Sequence, residues 1–331
     1  MKRFKAVLLE GVSYPVPAWV AETMAQANVD FVSVECRTAD ELRQHAADAD
    51  LVWVWGSSVV NADTLALIPQ CGAIVRTGSG TDNVPVAAAT ERGIVVANTP
   101  EAHNDAVSNH AIGLLFAVMR SLVVLDRRTR AGQWRRPRVF PDSWHLHGQT
   151  LGLVGFGHAA RLVAKKLSGF ELKTLVFDPF LPPEVISAAG AQPAALDDLL
   201  AQSDFVSLHC PLTPQTHHLI GERELKLMKP RAILINTARG PVVDEPALVR
   251  ALTEQWIAAA GLDVFEQEPP DPANPLLSMD NVVVTPHTAG ESDEDRDRAY
   301  QLSVDSIVAF AQGKFPRSYV NRSVKPRWPL A

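Results

Sequence analysis

The 331-residue chain is short of cysteine, of long apolar runs and of positive charge, and each shortage closes off a class of protein. Its three cysteines, Cys36, Cys71 and Cys210, are odd in number and far apart. Neither a disulfide framework nor a zinc-ligand spacing is present, and the pattern is that of reduced core thiols in a cytoplasmic protein. No apolar stretch approaches the ~18 residues of a membrane-spanning helix. The apolar run at Ala6–Leu9 is too short for the core of a signal peptide. A net charge of −6 argues against a general nucleic-acid binder. No repeat with a period of roughly 20–50 residues is visible.

What is present is an ordinary globular composition, 47% hydrophobic and 21% charged, in a length suited to about two domains. Strand-like runs at Ala6–Leu9, Phe31–Val34, Leu51–Val54 and Ile74–Arg76 alternate with helix-like segments at Ala18–Ala27, Glu41–Ala47 and Asn61–Leu67. Such alternation implies a parallel sheet with helices on both sides. This first sheet, up to about Asn98, carries no phosphate-binding glycine fingerprint. It does carry the loop RTGSGTDNV, Arg76–Val84, whose backbone N–H groups could hold a carboxylate or could form a plain βα turn.

The stretch Thr150–Asp178 is the best-defined unit of the chain. Leu151, Leu153 and Val154 read as a buried strand, Gly155-Phe156-Gly157 as a sharp turn, and Leu162, Val163, Lys166 and Leu167 as one face of a helix. A second apolar run, Leu172–Phe177, ends on Asp178. Gly155 suits the tight turn, and Gly157 lets backbone approach a pyrophosphate with no Cβ in the way. The following helix offers unpaired N–H groups and the positive end of its dipole. Ala160 stands where a third glycine would pack helix on strand. Asp178 lies 21 residues after Gly157, where a carboxylate can accept both ribose hydroxyls and repel a 2′-phosphate. The reading is a βαβ dinucleotide site for NAD in preference to NADP.

Glu101–Leu122 has the length of one long helix bridging two domains. Asp126–His147 holds six arginines and two tryptophans, and reads as a solvated arm or a subunit contact. Strands are expected at Phe205–Leu208, Ala232–Ile235, Ile257–Leu262 and Val282–Val284. Helices are expected at Glu245–Thr253, with Asp244 as N-cap, and at Asp293–Ala311. Arg239, Glu268 and His287 fall just past three of these strands. In an open parallel sheet ligands bind outside the carboxyl ends of the strands, so the three could converge. Their types suit alcohol–ketone chemistry: an imidazole as acid or base, a carboxylate to favour its charged form, and a planar guanidinium for a substrate carboxylate or carbonyl. Taken singly, each could instead be a capped histidine, a surface ion pair or a solvated loop acid.

The motifs RTGSGTDN, GFGHAAR, FDP at Asp178, HCPLTPQTHHLI, MKPRAILINTARGPVVDEPAL, LDVFEQEPP and TPHTAG occur in this order. In this the chain resembles the D-isomer-specific 2-hydroxyacid dehydrogenase family over about Ile74–Gly290. The resemblance implies an α/β protein of two doubly wound parallel sheets. A Rossmann NAD domain, residues 99–291, would be inserted into a flavodoxin-like substrate domain, residues 1–98 plus 292–331. It implies NAD-dependent interconversion of a small D-2-hydroxy acid and its 2-keto acid, in the manner of hydroxypyruvate or glyoxylate reductases. His287 and Glu268 would be the acid/base pair and Arg239 the substrate anchor. Arg76, Thr77, Gly78, Ser79 and Gly80 would lie on the substrate side. Gly155, Phe156, Gly157, His158, Ala159, Asp178, Cys210, Pro211, Thr213, Thr237, Ala238, Asp263, His287 and Ala289 would line the cofactor, with Asp263 near the carboxamide. A homodimer joined through Arg127–His147 is implied too. Ala106 and Asn109 depart from the family's usual Ser/Thr and Glu. Arg76, Asp82 and Asn83 lean toward the phosphoglycerate dehydrogenase branch, although the end at Ala331 leaves no room for a regulatory domain. Glu268, where formate dehydrogenases carry an amide, counts against formate. The competing readings are D-3-phosphoglycerate dehydrogenase, an inorganic-anion dehydrogenase, and a dinucleotide-sensing corepressor-like binding protein.

Overall fold

The computed structural model describes residues 3–9, 15–56, 59–134 and 145–331, which form two compact units. One is Met1–His103 with Ser292–Ala331; the other is Asn104–Glu291. The first runs to His103 rather than Asn98 because its last residues bond back into it. Thr99 N–H donates to Gly78 O, and Glu101 pairs with Arg317 and Arg298.

In the first unit, β1 (Phe4–Leu8), α1 (Ala18–Gln26), β2 (Val29–Ser33), α2 (Ala39–Ala46), β3 (Leu51–Val54), β4 (Ala73–Arg76), α3 (Val86–Glu91) and β5 (Val95–Asn98) follow in order. The strands pair in parallel as β2-β1-β3-β4-β5, the flavodoxin-like order. A sheet covered on both faces needs continuous apolar strands. Accordingly all four residues of β3, Leu-Val-Trp-Val, are buried, with Val52 and Val54 in one apolar cluster and Leu51 and Trp53 in the other. The helix Asp293–Ala311 closes the second cluster with Tyr300, Val304, Ile307 and Phe310, and Ser292 caps it by accepting from Asp295 N–H.

The second unit holds α4 (Asn104–Met119), α5 (Leu122–Arg130), β6 (Thr150–Val154), α6 (His158–Leu167), β7 (Lys173–Phe177), α7 (Pro183–Ala188), β8 (Gln192–Pro193), α8 (Leu196–Gln202), β9 (Phe205–Leu208), α9 (Glu222–Leu227), β10 (Ile233–Asn236), α10 (Glu245–Thr253), β11 (Ala259–Leu262) and β12 (Val282–Val284). Its parallel sheet runs β12-β11-β10-β9-β6-β7-β8, a Rossmann order with the switch point between β6 and β9. Strand register then sets the site. Phe177, Val154, Leu208, Asn236, Leu262 and Val284 are successive cross-strand partners in one row. One residue further along, the chain leaves the same edge of the sheet six times, at Asp178, Gly155, His209, Thr237, Asp263 and Thr285.

Two expected elements differ. The helix expected over Glu101–Leu122 is α4, three residues shorter at each end, and α5 follows it after a 60° bend. Ser121 adopts a left-handed φ of +52°; its N–H closes on Val118 O and its C=O opens α5 by accepting from Leu125 N–H. The apolar spacing runs on through this break and gives no sign of it. Asn61–Leu67 is only a short 3₁₀ turn, Thr64–Leu67. There Asn61 Oδ1 accepts from Asp63 and Thr64 N–H, and Thr64 Oγ1 accepts from Asn61 N–H, side-chain bonds that compete with an α-helix. The arm residues 135–144, including Arg135, Arg136 and Arg138, lie outside the described residues. No single helix among the described residues is long and apolar enough to cross a membrane.

Candidate functional site

Three adjacent strands of the second unit, β10, β11 and β12, deliver Arg239, Glu268 and His287 to one edge. After β10 the chain must turn without exposing its polar backbone, and Asn236 does the turning. The residue is 1% exposed; its side-chain N–H donates to Arg239 O at 2.9 Å, and its Oδ1 accepts from Ala238 N–H at 3.0 Å. The loop so formed meets the β11 loop backbone to backbone at Gly240. A Cβ there would stand 1.8 Å from Phe265 O and 2.5 Å from Glu266 N, so only glycine fits. From the β11 side Phe265 N–H donates to Glu268 Oε1 at 3.1 Å.

His287 then completes the group. Its Nδ1 donates to Glu268 Oε2 at 2.6 Å, leaving Nε2 free of that contact. Burial pushes the Glu268 pKa up. The hydrogen bond and charge of His287, the Phe265 N–H and the Arg239 charge outweigh it and hold the carboxyl below its usual range. The imidazole of His287 and the charge of Arg239 thus act on one carboxylate, Glu268, although 48 residues separate Arg239 from His287. An imidazole anchored through one nitrogen can move a proton at the other.

Along the same edge the β6–α6 turn has the form a pyrophosphate requires. Gly155 has φ +86°, and a Cβ on it would lie 2.8 Å from Cys210 N. Nothing lies within 4 Å of a Cβ on Gly157. No side chain caps the start of α6, so its first N–H groups face outward. Ala160 is fully buried against the sheet. Asp178 is fixed by Phe156 N–H at 2.9 Å and Phe180 N–H at 3.0 Å, one on each oxygen, which leaves each oxygen a lone pair for a ribose hydroxyl. Thr237 Oγ1 is buried with no partner, an orphaned polar atom at the same edge.

A family profile described as D-isomer specific 2-hydroxyacid dehydrogenase, NAD binding domain, matches residues 112–289. The glyoxylate reductase of Thermococcus litoralis is 41% identical over 291 residues, covering 86% of this chain and 87% of that protein. The chain belongs to the D-isomer-specific 2-hydroxyacid dehydrogenase family. Solved structures agree. A glyoxylate reductase from Paecilomyes thermophila superposes with a TM-score of 0.87 at 29% identity, covering 97% and 99% of the two chains. The D-lactate dehydrogenase of Aquifex aeolicus, complexed with NAD and lactic acid, gives 0.84 at 27%, covering 95% and 99%. The protein is therefore an NAD-dependent oxidoreductase that interconverts a 2-hydroxy acid and a 2-keto acid. Neither the phosphoglycerate-specific reading nor the corepressor-like one is favoured.

In this dehydrogenase several residues expected to touch ligand also have bonds within their own chain. Asp263 is 1% exposed, and its carboxylate accepts from Thr285 Oγ1, Thr288 N–H and Ala289 N–H. It organises the His287 turn, and the Ala289 N–H is committed to it. Thr213 shares its hydroxyl and N–H with Thr216. Phe156 buries its ring and gives its N–H to Asp178. His158 and Pro211 are exposed, Ala159 and Ala238 half-buried. Burial pushes the Cys210 thiol up to about 11, as expected of an inert core thiol.

The loop after β4 in the first unit is more tightly bound than its glycines suggest. Thr77 N–H donates to Val54 O and Gly78 N–H to Thr99 Oγ1, while Thr77 Oγ1 is held by Trp53 Nε1 and Ser303 Oγ. Arg76 folds back onto Thr77 O and Asn83 Oδ1, and occupies the space over Gly78, where φ is +107°. Of the expected carboxylate holders only the Ser79 and Gly80 N–H groups have no protein acceptor among the described residues. A charged residue at the end of a strand gives no sign that it will fold back on the loop that follows. Ala106 is buried on α4. Asn109 accepts from Lys166 Nζ at 2.6 Å and donates to Asp105, so it helps join α4 to α6. Asn236 and Gly240, which set the Arg239 loop, were legible only as letters of the INTARG motif.

Proposed function

We propose that the protein reduces glyoxylate or a close two- or three-carbon 2-keto acid with NADH. The observation that carries the assignment is the 2.6 Å contact of His287 Nδ1 with Glu268 on the edge that also holds Arg239. When bound, NADH supplies a hydride to C2 of the keto acid. His287 gives the Nε2 proton to the carbonyl oxygen as charge develops there, and in the reverse direction takes it back. Glu268 keeps the ring in the orientation that aims Nε2 outward and favours the imidazolium that precedes transfer. Arg239 offers its guanidinium to the substrate carboxylate and carbonyl. Asp178 takes the adenosine ribose, the α6 start and Gly157 the pyrophosphate, and Thr237 Oγ1 a polar group of the cofactor.

Arg76, being folded onto its own loop, lends no support to a phosphorylated substrate. The natural assembly on this reading is a homodimer in the cytoplasm. Leu122 and Val123 on α5 are 52% and 51% exposed, an apolar face suited to a second copy, and the three cysteines are free thiols. A panel of 2-keto acids, followed by cofactor absorbance with NADH and NADPH in parallel, tests the proposal. Fastest turnover on glyoxylate or hydroxypyruvate with NADH is expected. Preference for a bulky or phosphorylated keto acid, or for NADPH, overturns it.

A further inference from the structure

His287 sits in the left-handed backbone region, φ +55°, where a residue with a Cβ is strained. Such a conformation persists only where its surroundings over-determine it. Here Asp263 supplies most of the constraint. Its main-chain oxygen accepts from His287 N–H at 2.8 Å; Oδ1 accepts from Thr288 N–H at 2.9 Å and Thr285 Oγ1 at 2.6 Å; Oδ2 accepts from Ala289 N–H at 2.9 Å. Within Thr285–Ala289 only Pro286, which has no N–H, gives nothing to Asp263. A further tie comes from a distant element. His110 on α4, 175 residues away in the chain, places Nε2 at 2.8 Å from Thr285 Oγ1 and 3.5 Å from Asp263 Oδ1. The Thr285 hydroxyl has a single proton and gives it to Asp263, so His110 Nε2 is the donor to that oxygen. The tautomer follows from this accounting.

We propose that His110 is a positioning residue for the reaction, acting on His287 through Thr285 and Asp263. The assignment rests on His287 as the acid. Helix α4 packs against β10, β11 and β12 alike, so the His110 bond references the turn to the sheet that also carries Arg239 and Glu268. Without it Thr285 can rotate away from Asp263 and the left-handed turn can relax. The His287 ring then wanders from Glu268, and a displacement of about 1 Å at a reacting group lowers turnover by up to ~10²-fold.

The test uses the full-length protein with His110→Phe, which keeps a ring and loses the donor, His110→Gln, which keeps a donor, Thr285→Val, and the His110→Phe/Thr285→Val double variant. Turnover is read with NADH and whichever 2-keto acid the wild type prefers. NADH binding is read by fluorescence, and amide exchange of the 285–289 segment by mass spectrometry. His110→Phe is expected to lower kcat by about tenfold, to leave KM within about twofold and NADH binding unchanged, and to speed exchange in the segment. Gln is expected to recover most of kcat. The double variant should be no worse than Thr285→Val, because the two side chains act as one unit. The proposal is overturned by kcat within twofold of wild type in His110→Phe, by losses that multiply in the double variant, or by Gln faring no better than Phe. A wild type inactive on every keto acid sinks the functional assignment, not the clamp; the exchange measurement still decides the latter, and unchanged exchange in His110→Phe overturns it.

Discussion

Gly240→Ala places one methyl group where the Arg239 and Glu268 loops touch. A Cβ there would lie 1.8 Å from Phe265 O, 1.9 Å from Phe265 C and 2.5 Å from Glu266 N, all backbone atoms that cannot swing aside. Reaching ordinary contact at 3.4 Å means moving the two loops apart by about 1.6 Å. The loops are pinned behind the contact by Asn236 on one side and, on the other, by Glu245, which accepts from Glu266 N–H and Asn274. Part of the strain therefore appears as lost stability, about 1–3 kcal/mol for an overpacked site. The remainder separates the guanidinium from the carboxylate–imidazole pair, and a misplacement of about 1 Å can cost ~10²-fold. The expected result is kcat/KM for the keto acid down by about 10²-fold, with the dissociation constant of NADH changed by less than about threefold, because the β6–α6 turn is untouched. Steady-state kinetics beside fluorescence titration of NADH separates the two. A variant with wild-type kcat/KM refutes the claim that this contact sets the spacing of the site.

Glu268→Gln keeps an acceptor for the His287 ring but replaces a charge-assisted bond with a neutral one, so the ring is held less firmly. Turnover is expected to fall by about tenfold with NADH binding unchanged; turnover within twofold of the wild type would show that Glu268 does not position the ring. His209 makes the fold acid-sensitive. Burial lowers its pKa from 6.5 to about 4, with Ser207 Oγ at 2.9 Å from Nε2. The unfolded chain therefore takes up this proton first as pH falls below about 6.5. Stability is intact above that value, declines from there to about pH 4, and is lower by about 3 kcal/mol beyond it. Urea titrations of wild type and His209→Gln at pH 7 and 5 should show a gap between the two pH values about 2 kcal/mol smaller in the variant. Equal gaps would place the acid sensitivity elsewhere.

Most of the edge chemistry could be read from local pattern. Strand residues 205–208 and 282–284, helix 245–253 with its Asp244 cap, and helix 293–311 have the expected bounds, because each is a strongly periodic segment with clear punctuation. Convergence of Arg239, Glu268 and His287 followed from one topological rule, that parallel strands deliver their following loops to one edge. What stayed hidden depends on contacts made across the fold. Nothing near His110 in the chain announces Thr285. Nothing local to Asp263 announces the turn to which its carboxylate is bonded. Ser121 carries no breaker signal, and nothing local to Arg76 announces its bonds to Asn83 and Thr77.

The role of His287 is the hinge of the whole account, and one experiment addresses it directly: single-turnover reduction of the preferred 2-keto acid by His287→Ala with NADH already bound. The expected result is hydride transfer slowed by ~10²-fold or more with NADH bound as tightly as in the wild type. Transfer at the wild-type rate would contradict it, and the proton donor would then have to be sought elsewhere.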